Sequence, residues 1–392
     1  MPEQVAGIRR TRPPNRKTLI SAAARDLFYE RGFDQVPMSD IAGSVDIRAS
    51  AIYRHFTNQQ HLLKEVLDRG LEPMEAMVDS LDLRFPAAAA AELAAFALDN
   101  RPLGVLLQRE VRHLGPEDHA ALRRRLSILG LRLSERFRAA RPELSATDAG
   151  LLAWSTLSVL ASISFHRIDF PRPAYDQLLA GLVQQVIETS LPSSLSPAPA
   201  TARTRPLTPR SRREALLEQA IALFARKGYT DVGIEDIGAA VGIAGASVYN
   251  HFPAKIDILV AALERGSAVL FADLAYILRS ASGATQALDQ LVHSYVAFSE
   301  RNPDIVDVMI TQLEHLPGDE QARLRKVENE YISEWVHLVR ETQPLLDANA
   351  ARVRVHAALT VANNGARTPR LRRIPAVPAA LEVICARVGW GS

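Results

Sequence analysis

Apolar residues recur at three- and four-residue intervals along almost the whole chain, and no long alternating run of Val, Ile or Thr suggests a strand. Leu19, Ala23 and Leu27 form one stripe with Ile20, Ala24 and Phe28 beside it, and Gly32 follows as a stop suited to a left-handed C-cap. Leu216, Ala220, Leu223 and Phe224 repeat the stripe, and Gly228 repeats the stop. Two short helices with a tight connection come next. The pattern predicts a helix over 37–44, a turn at Val45-Asp46-Ile47 and a helix over 48–55. In the second half the same units are 233–240, Val241-Gly242-Ile243 and 244–251. Ile41, Val45, Ile47 and Ile52 would bury together and hold the two short helices at a steep angle. That is the geometry of a helix-turn-helix, whose second helix is free to enter a major groove. The expected fold class is all-α.

The recurrence is an internal repeat. Residues 16–70 align without a gap on 212–266, at an offset of 196, with Asp40/Asp236, Ile41/Ile237, Tyr53/Tyr249, His55/His251 and Phe56/Phe252 among the matches. After an insertion of about six residues the match continues more weakly, with His113 on His315, Pro142 on Pro344 and Pro173 on Pro375. Residues 191–209, rich in Pro, Ser and Ala, read as an exposed linker. The expected domains are therefore 1–60 (arm and first helix-turn-helix), 61–190 (first helical regulatory domain), 191–209 (linker), 210–257 (second helix-turn-helix) and 258–392 (second helical regulatory domain).

Composition narrows the chemistry. The 392 residues carry a net charge of only +2, so a nucleic-acid surface must be a local patch. A single cysteine, Cys385, excludes an intrachain disulfide framework and a multi-cysteine zinc site, and it fits a reducing cytoplasm. The N-terminus lacks the apolar core of a secretory signal. The longest apolar stretch, Leu151 to Phe165, is interrupted by serines and a threonine and is shorter than the roughly 20 residues of a membrane span. It reads as a buried bundle helix, and no membrane partner is expected.

At this point the residues resemble the TetR family of bacterial regulators. The motif stands as Phe28 to Gly32-Phe33, Asp40-Ile41-Ala42, Val45-Asp46-Ile47 and Ile52-Tyr53-Arg54-His55-Phe56. It stands again as Phe224 to Gly228-Tyr229, Asp236-Ile237-Gly238, Val241-Gly242-Ile243 and Val248-Tyr249-Asn250-His251-Phe252. The tandem arrangement looks like the double-TetR regulators of actinobacteria, including the mammalian-cell-entry operon repressor type. The resemblance implies a regulator, commonly a repressor, that binds double-stranded operator DNA and is released by a small effector.

Each motif follows a basic arm: Arg9, Arg10, Arg12, Arg16 and Lys17, then Arg203, Arg205, Arg210, Arg212 and Arg213. Such arms neutralise phosphates and reach into minor grooves. In the first reader Arg48 and Arg54 suit guanine edges, and Ser50 is short enough for close approach. The resemblance implies a phosphate contact by Tyr53, with His55 either supporting the helix or meeting the backbone. The second reader offers Ser247 and Asn250 for base edges, flanked by Tyr249 and His251. Lys255 matches the family's phosphate-contacting lysine, where the first copy has Gln59. Pro37 and Gly233 replace the usual capping threonine, and Ser50 and Ala246 replace the usual glycine. Unequal readers predict an asymmetric operator, because a symmetric protein reads a symmetric site only when its halves are identical.

The last two helices of each half, near 147–167 and 173–189, then 347–366 and 376–388, fall where the family forms its four-helix dimer interface. Fusion allows the two halves to pair within one chain, while a homodimer between chains stays open. Candidate effector contacts are Arg109, Glu110, His113, Trp154 and His166, then Gln312, His315, His356 and Asn363. The ordinary alternative for each is a bundle residue. The apolar surround suits a small lipid-like or aromatic effector.

Two rivals belong to other classes. Glu110-Val-Arg-His113 and Glu334-Trp-Val-His337 have the spacing of di-iron bundles, but Glu110 falls on Gln312 in the repeat and no partnered carboxylates are evident. No phosphate-cradling glycine loop, nucleophile elbow or two-His zinc helix is present, so no enzyme, catalytic residue, metal or cofactor is expected. The other rival is a helical interaction scaffold whose DNA-binding motifs have degenerated.

Overall fold

The computed structural model describes residues 16–192 and 209–391. The arm residues Arg9, Arg10, Arg12, Arg203 and Arg205, and most of the expected linker, lie outside the described residues. Among the described residues the structure is all-α, with no strand.

The helices of the two halves correspond one to one. The first half runs α1 (Arg16–Arg31), α2 (Met38–Ser44), α3 (Ala49–Ile52), α4 (Gln59–Ser80), α5 (Pro86–Asp99), α6 (Pro102–Arg109), α7 (Pro116–Ala140), α8 (Ala146–Ser162) and α9 (Ala174–Ile187). The second runs α10 (Arg212–Lys227), α11 (Ile234–Ala240), α12 (Gly245–Val248), α13 (Lys255–Ser280), α14 (Ala284–Arg301), α15 (Pro303–Thr311), α16 (Gly318–Thr342), α17 (Ala348–Arg367) and α18 (Val377–Trp390). The helices α3 and α12 are shorter than expected. The chain leaves them in a turn at Tyr53 and Tyr249 so that Phe56 and Phe252 can drop into the core.

Glycine stops α1 and α10, in a conformation other than the one expected. Gly32 has φ 81° and ψ 155°, and Gly228 has φ 84° and ψ 158°. These angles lie outside the left-handed helical region and in the positive-φ extended region that only glycine adopts without strain. In the helix-turn-helix turn, Asp46 (φ 52°) and Gly242 (φ 74°) occupy matching positive-φ positions. Asp tolerates this conformation better than most residues, which explains how the two sequences differ there without a change of turn.

The halves pair inside the chain. The helix α8 lies along α17, and α9 touches α18, so the expected four-helix interface is intramolecular. Across it Asn364 donates to Ser158 Oγ (3.0 Å), Gln108 donates to Asn364 Oδ1 (3.2 Å), and Arg367 donates to Gln108 Oε1 (3.0 Å). The apolar stretch Ala146–Phe165 is long and apolar enough to cross a membrane by length and composition, yet 72% of it is buried inside the protein. Its apolarity has a sufficient cause in this packing.

The two DNA-binding units join the body differently. Ile20, Phe28, Ile41, Ile52 and Phe56 belong to one apolar core that continues through the bundles of both halves. Leu216, Phe224, Ile237, Val248 and Phe252 form a second cluster with the start of α13, α15 and α16, and Ile305 and Met309 bridge it to the main core.

Candidate nucleic-acid interface and effector cavities

Each reader is a shallow ridge around one buried anchor. In the first, Ile52 is fully buried while Arg48, Ser50, Tyr53 and Arg54 face solvent. In the second, Val248 is the anchor, and Ala244, Ala246, Tyr249 and Asn250 face solvent. Tyr53 and Tyr249 are 55% and 54% exposed at matching positions. His55 and His251 are half-buried beside them, and Ser247 sits half-buried on the flank.

The arm cations are partly committed to the fold. Lys17 pairs with Glu65 (2.7 Å) and lies 5.7 Å from the Phe56 ring centre. Its counterpart Arg213 lies 4.6 Å from the Phe252 ring centre. Arg212 donates to the carbonyl of Val241 in the turn (3.1 Å). Arg16 is half-buried at the start of α1.

Lys255 departs from the phosphate role that the resemblance implied. Its ammonium donates to the carbonyls of Tyr229 (2.8 Å) and Val232 (2.9 Å) and lies over the Tyr229 ring. Burial lowers its pKa. Gln59 donates to the matching carbonyls of Phe33 (2.7 Å) and Val36 (2.8 Å). The two residues are chemically unlike but make the same brace, because a turn carbonyl pair needs donors and either side chain supplies them.

Four of the expected effector contacts sit elsewhere, in the joint between reader and bundle. Glu110 accepts a hydrogen bond from the backbone N–H of Phe33 (3.1 Å), and Gln312 accepts the same bond from Tyr229 (2.9 Å). His113 stacks on Phe33 (4.6 Å between ring centres) and His315 on Tyr229 (5.5 Å). Burial pushes the Glu110 carboxyl up to about 7 and holds both histidines below their ordinary value. The joints also cross the pseudo-dyad. Arg109 pairs with Glu314, and Arg112 lies 3.1 Å from His315 and against Gly228. Separations of about 200 residues hid these pairs from the sequence. Glu110 and His113 approach to 3.6 Å, but among the described residues no three His, Cys, Asp or Glu side chains gather as a metal site.

Of the remaining candidates, all but His166 line two cavities at corresponding places in the two bundles. The first-half cavity, about 700 Å³, is walled by Phe96, Leu107, Leu126, Leu129, Trp154 and Ala161, among others. The second-half cavity, about 180 Å³, is lined at the matching positions by Phe298, Met309, Glu328, Tyr331, His356 and Asn363, with Arg109 reaching in from the first half. Tyr295 donates to Asn363 Oδ1 (2.9 Å), and burial lowers His356 to about 4. His166 lies outside both linings and instead packs at a tilt against His356 across the halves (4.7 Å between ring centres), with burial lowering it to about 2. The first cavity is the larger and the more apolar of the two.

Comparison with known proteins agrees with the readers. Residues 20–66 and 216–262 each match the family described as bacterial regulatory proteins, tetR family. The nucleoid occlusion factor SlmA of Marinobacter nauticus is 27% identical over 131 residues, covering 33% of this chain and 66% of that protein. The HTH-type transcriptional repressor KstR2 of Mycolicibacterium smegmatis is 29% identical over 139 residues, covering 35% and 67%. The chain thus spans between half and about two thirds of the length of the curated relatives it matches. Among solved structures, a TetR-family transcriptional regulator from Bordetella parapertussis aligns with a TM-score of 0.42 and 20% identity over 46% of this chain and 94% of that one. With the motif present twice, each copy folded as a helix-turn-helix and each matched separately, the chain carries in tandem two domains that match the family described as bacterial regulatory proteins, tetR family.

Proposed function

We propose that this protein is a transcriptional repressor that acts at the nucleoid, reads an asymmetric operator with two unlike readers on one polypeptide, and is released when a small apolar molecule fills its first bundle. The observation that carries the reading is the pair of exposed ridges. Tyr53 and Tyr249 stand at the same place, while the groups around them are Arg48, Ser50 and Arg54 in one ridge and Ala246 and Asn250 in the other. A guanidinium grips guanine bidentately, whereas an amide and methyl groups favour adenine and thymine. Intramolecular pairing of α8 with α17 presents these unlike ridges as a fixed pair. Repression follows if the bound chain occludes polymerase, and release follows if an occupied cavity changes the relation between the ridges.

The test is selection of bound sites from random duplex DNA by the full-length protein, with the mass of the complex measured. A non-palindromic site bound by one chain is the expected result. A palindrome bound by two chains overturns the asymmetric reading, and no enrichment at low or moderate salt overturns DNA reading and favours a scaffold.

A further inference from the structure

The first-half cavity is not closed by first-half residues alone. Beside the apolar set described above, its lining takes in second-half residues: Ala225 and Arg226 of α10, Asp304 and Asp307 of α15, Arg367 at the end of α17, and Arg372 just beyond, of which Arg226, Asp304 and Arg372 are exposed and mark its mouth. Arg123 of α7 also reaches the rim. Four guanidiniums therefore face two carboxylates. Arg367 is held by Asp307 (2.5 Å), whereas Arg226 and Arg372 make no ion-pair contact within 4 Å among the described residues and act only at longer range, both on Asp304 and Arg372 also on Glu300. Arg226 donates only to the carbonyl of Ala222 on its own helix. At the corresponding place in the first half, Tyr29 fills the gap and donates to the carbonyl of Ser164 (3.3 Å), bracing α1 to the bundle. Ala225 has no such reach, so the cavity opens where that brace would be.

We infer that this cavity binds an amphipathic anion, with an apolar chain in the first bundle and its acidic head at Arg226 and Arg372, and that its occupant acts in trans on the second DNA-binding domain. The size suits such a molecule, since drug-sized ligands occupy pockets of about 300–1,000 Å³. The charge pattern suits an anion, because guanidiniums outnumber carboxylates in the lining and none is held by two of them, leaving donors for a carboxylate or phosphate. The direction of coupling follows from contact. Residues of α10 line the cavity, no residue of α1 to α3 does, and the second reader belongs to an apolar cluster joined to the main core only through Ile305 and Met309. The binding site does not depend on DNA reading; only its consequence at an operator rests on the proposed function.

The experiment titrates the full-length protein with 12-bromododecanoate, whose bromine quenches indole fluorescence at short range. Saturable quenching that vanishes in Trp154→Phe is expected. The double variant Arg226→Ala, Arg372→Ala, altered only at exposed side chains, should bind dodecanoate at least tenfold more weakly and dodecanol equally well. Hydrogen exchange with dodecanoate should change in 212–252 and not in 16–56. Quenching that persists in Trp154→Phe overturns the site. Equal binding of dodecyltrimethylammonium, or no loss in the double variant, overturns the anionic head. Exchange altered only in 16–56 overturns the coupling in trans.

Discussion

The two DNA-binding domains share a fold and a motif and differ in how they are held. The first is continuous with the main core, is braced by Tyr29 on Ser164, and offers arginines to its groove. The second has its own apolar cluster, stands over an open cavity where that brace would be, and offers an amide and two alanines. The two halves thus keep the architecture of a symmetric pair, while on the proposed function one domain is suited to anchoring and the other to responding.

The largest expected effect that would break this contrast is in DNA binding. Replacing Arg48 and Arg54 together with alanine removes two contacts of about 1–3 kcal/mol each, so affinity for a selected site should fall roughly 100-fold or more. Replacing Ser247 and Asn250 should cost less than about tenfold, read by fluorescence anisotropy. Equal losses would show that the second ridge carries as much of the recognition as the first.

Next is stability. Phe28 and Phe224 are both fully buried at matching positions, and each truncation to alanine should cost about 3–5 kcal/mol. Phe28→Ala should lower the main thermal transition. Phe224→Ala should create an earlier transition confined to 212–252 by hydrogen exchange. A single shared transition in both variants would mean that the second cluster is not separable.

A smaller effect concerns pH. Glu110 is raised to about 7 by burial, so the folded protein holds a proton that the unfolded chain releases above the ordinary value of 4.5. Stability should therefore decline as pH rises from about 4.5 to 7, and the penalty should persist above that. Glu110→Gln, which copies Gln312, should leave stability near pH 4 unchanged and raise it at pH 8 by about 1–3 kcal/mol. The matching variant Gln312→Glu should bring the same penalty to the second joint. Thermal melts across this range decide the matter.

The smallest effect is at the turn braces. Gln59→Ala and Lys255→Ala should each destabilise by about 1 kcal/mol. An inward Lys255 predicts that its variant leaves the salt dependence of DNA binding unchanged. A slope reduced by about one would mean that the lysine reaches phosphate.

Much of this was legible in the sequence, for identifiable reasons. The stripe Ile20, Ala24, Phe28 and its copy at 212–227 have helical period, and each half's glycine stop marks where the helix must end. The exposed ridges followed from the buried positions between them. What the sequence did not carry was contact at a distance. Glu110, His113, Gln312 and His315 sit in the short turns that follow α6 and α15, where a side chain could meet a cavity or a neighbouring domain; only the docking of α1 and α10 decides for the joint. Arg109 with Glu314 and His166 with His356 meet across the pseudo-dyad, where no local pattern signals a partner. The inward turn of Lys255 was not legible because a motif position fixes where a side chain starts, and the turn carbonyls decide where it ends.

The packing of α8 on α17 within one chain has a consequence for gene dosage. Regulators assembled from separate subunits must first find each other, so at low copy number their active form falls with the square of the subunit concentration. On the proposed function, in which one chain carries both readers to one operator, covalent linkage replaces a bimolecular encounter with an intramolecular one. Binding-competent protein then scales in direct proportion to the number of chains made. Halving expression would halve the active population rather than quarter it, and a cell could hold an operator occupied with very few molecules.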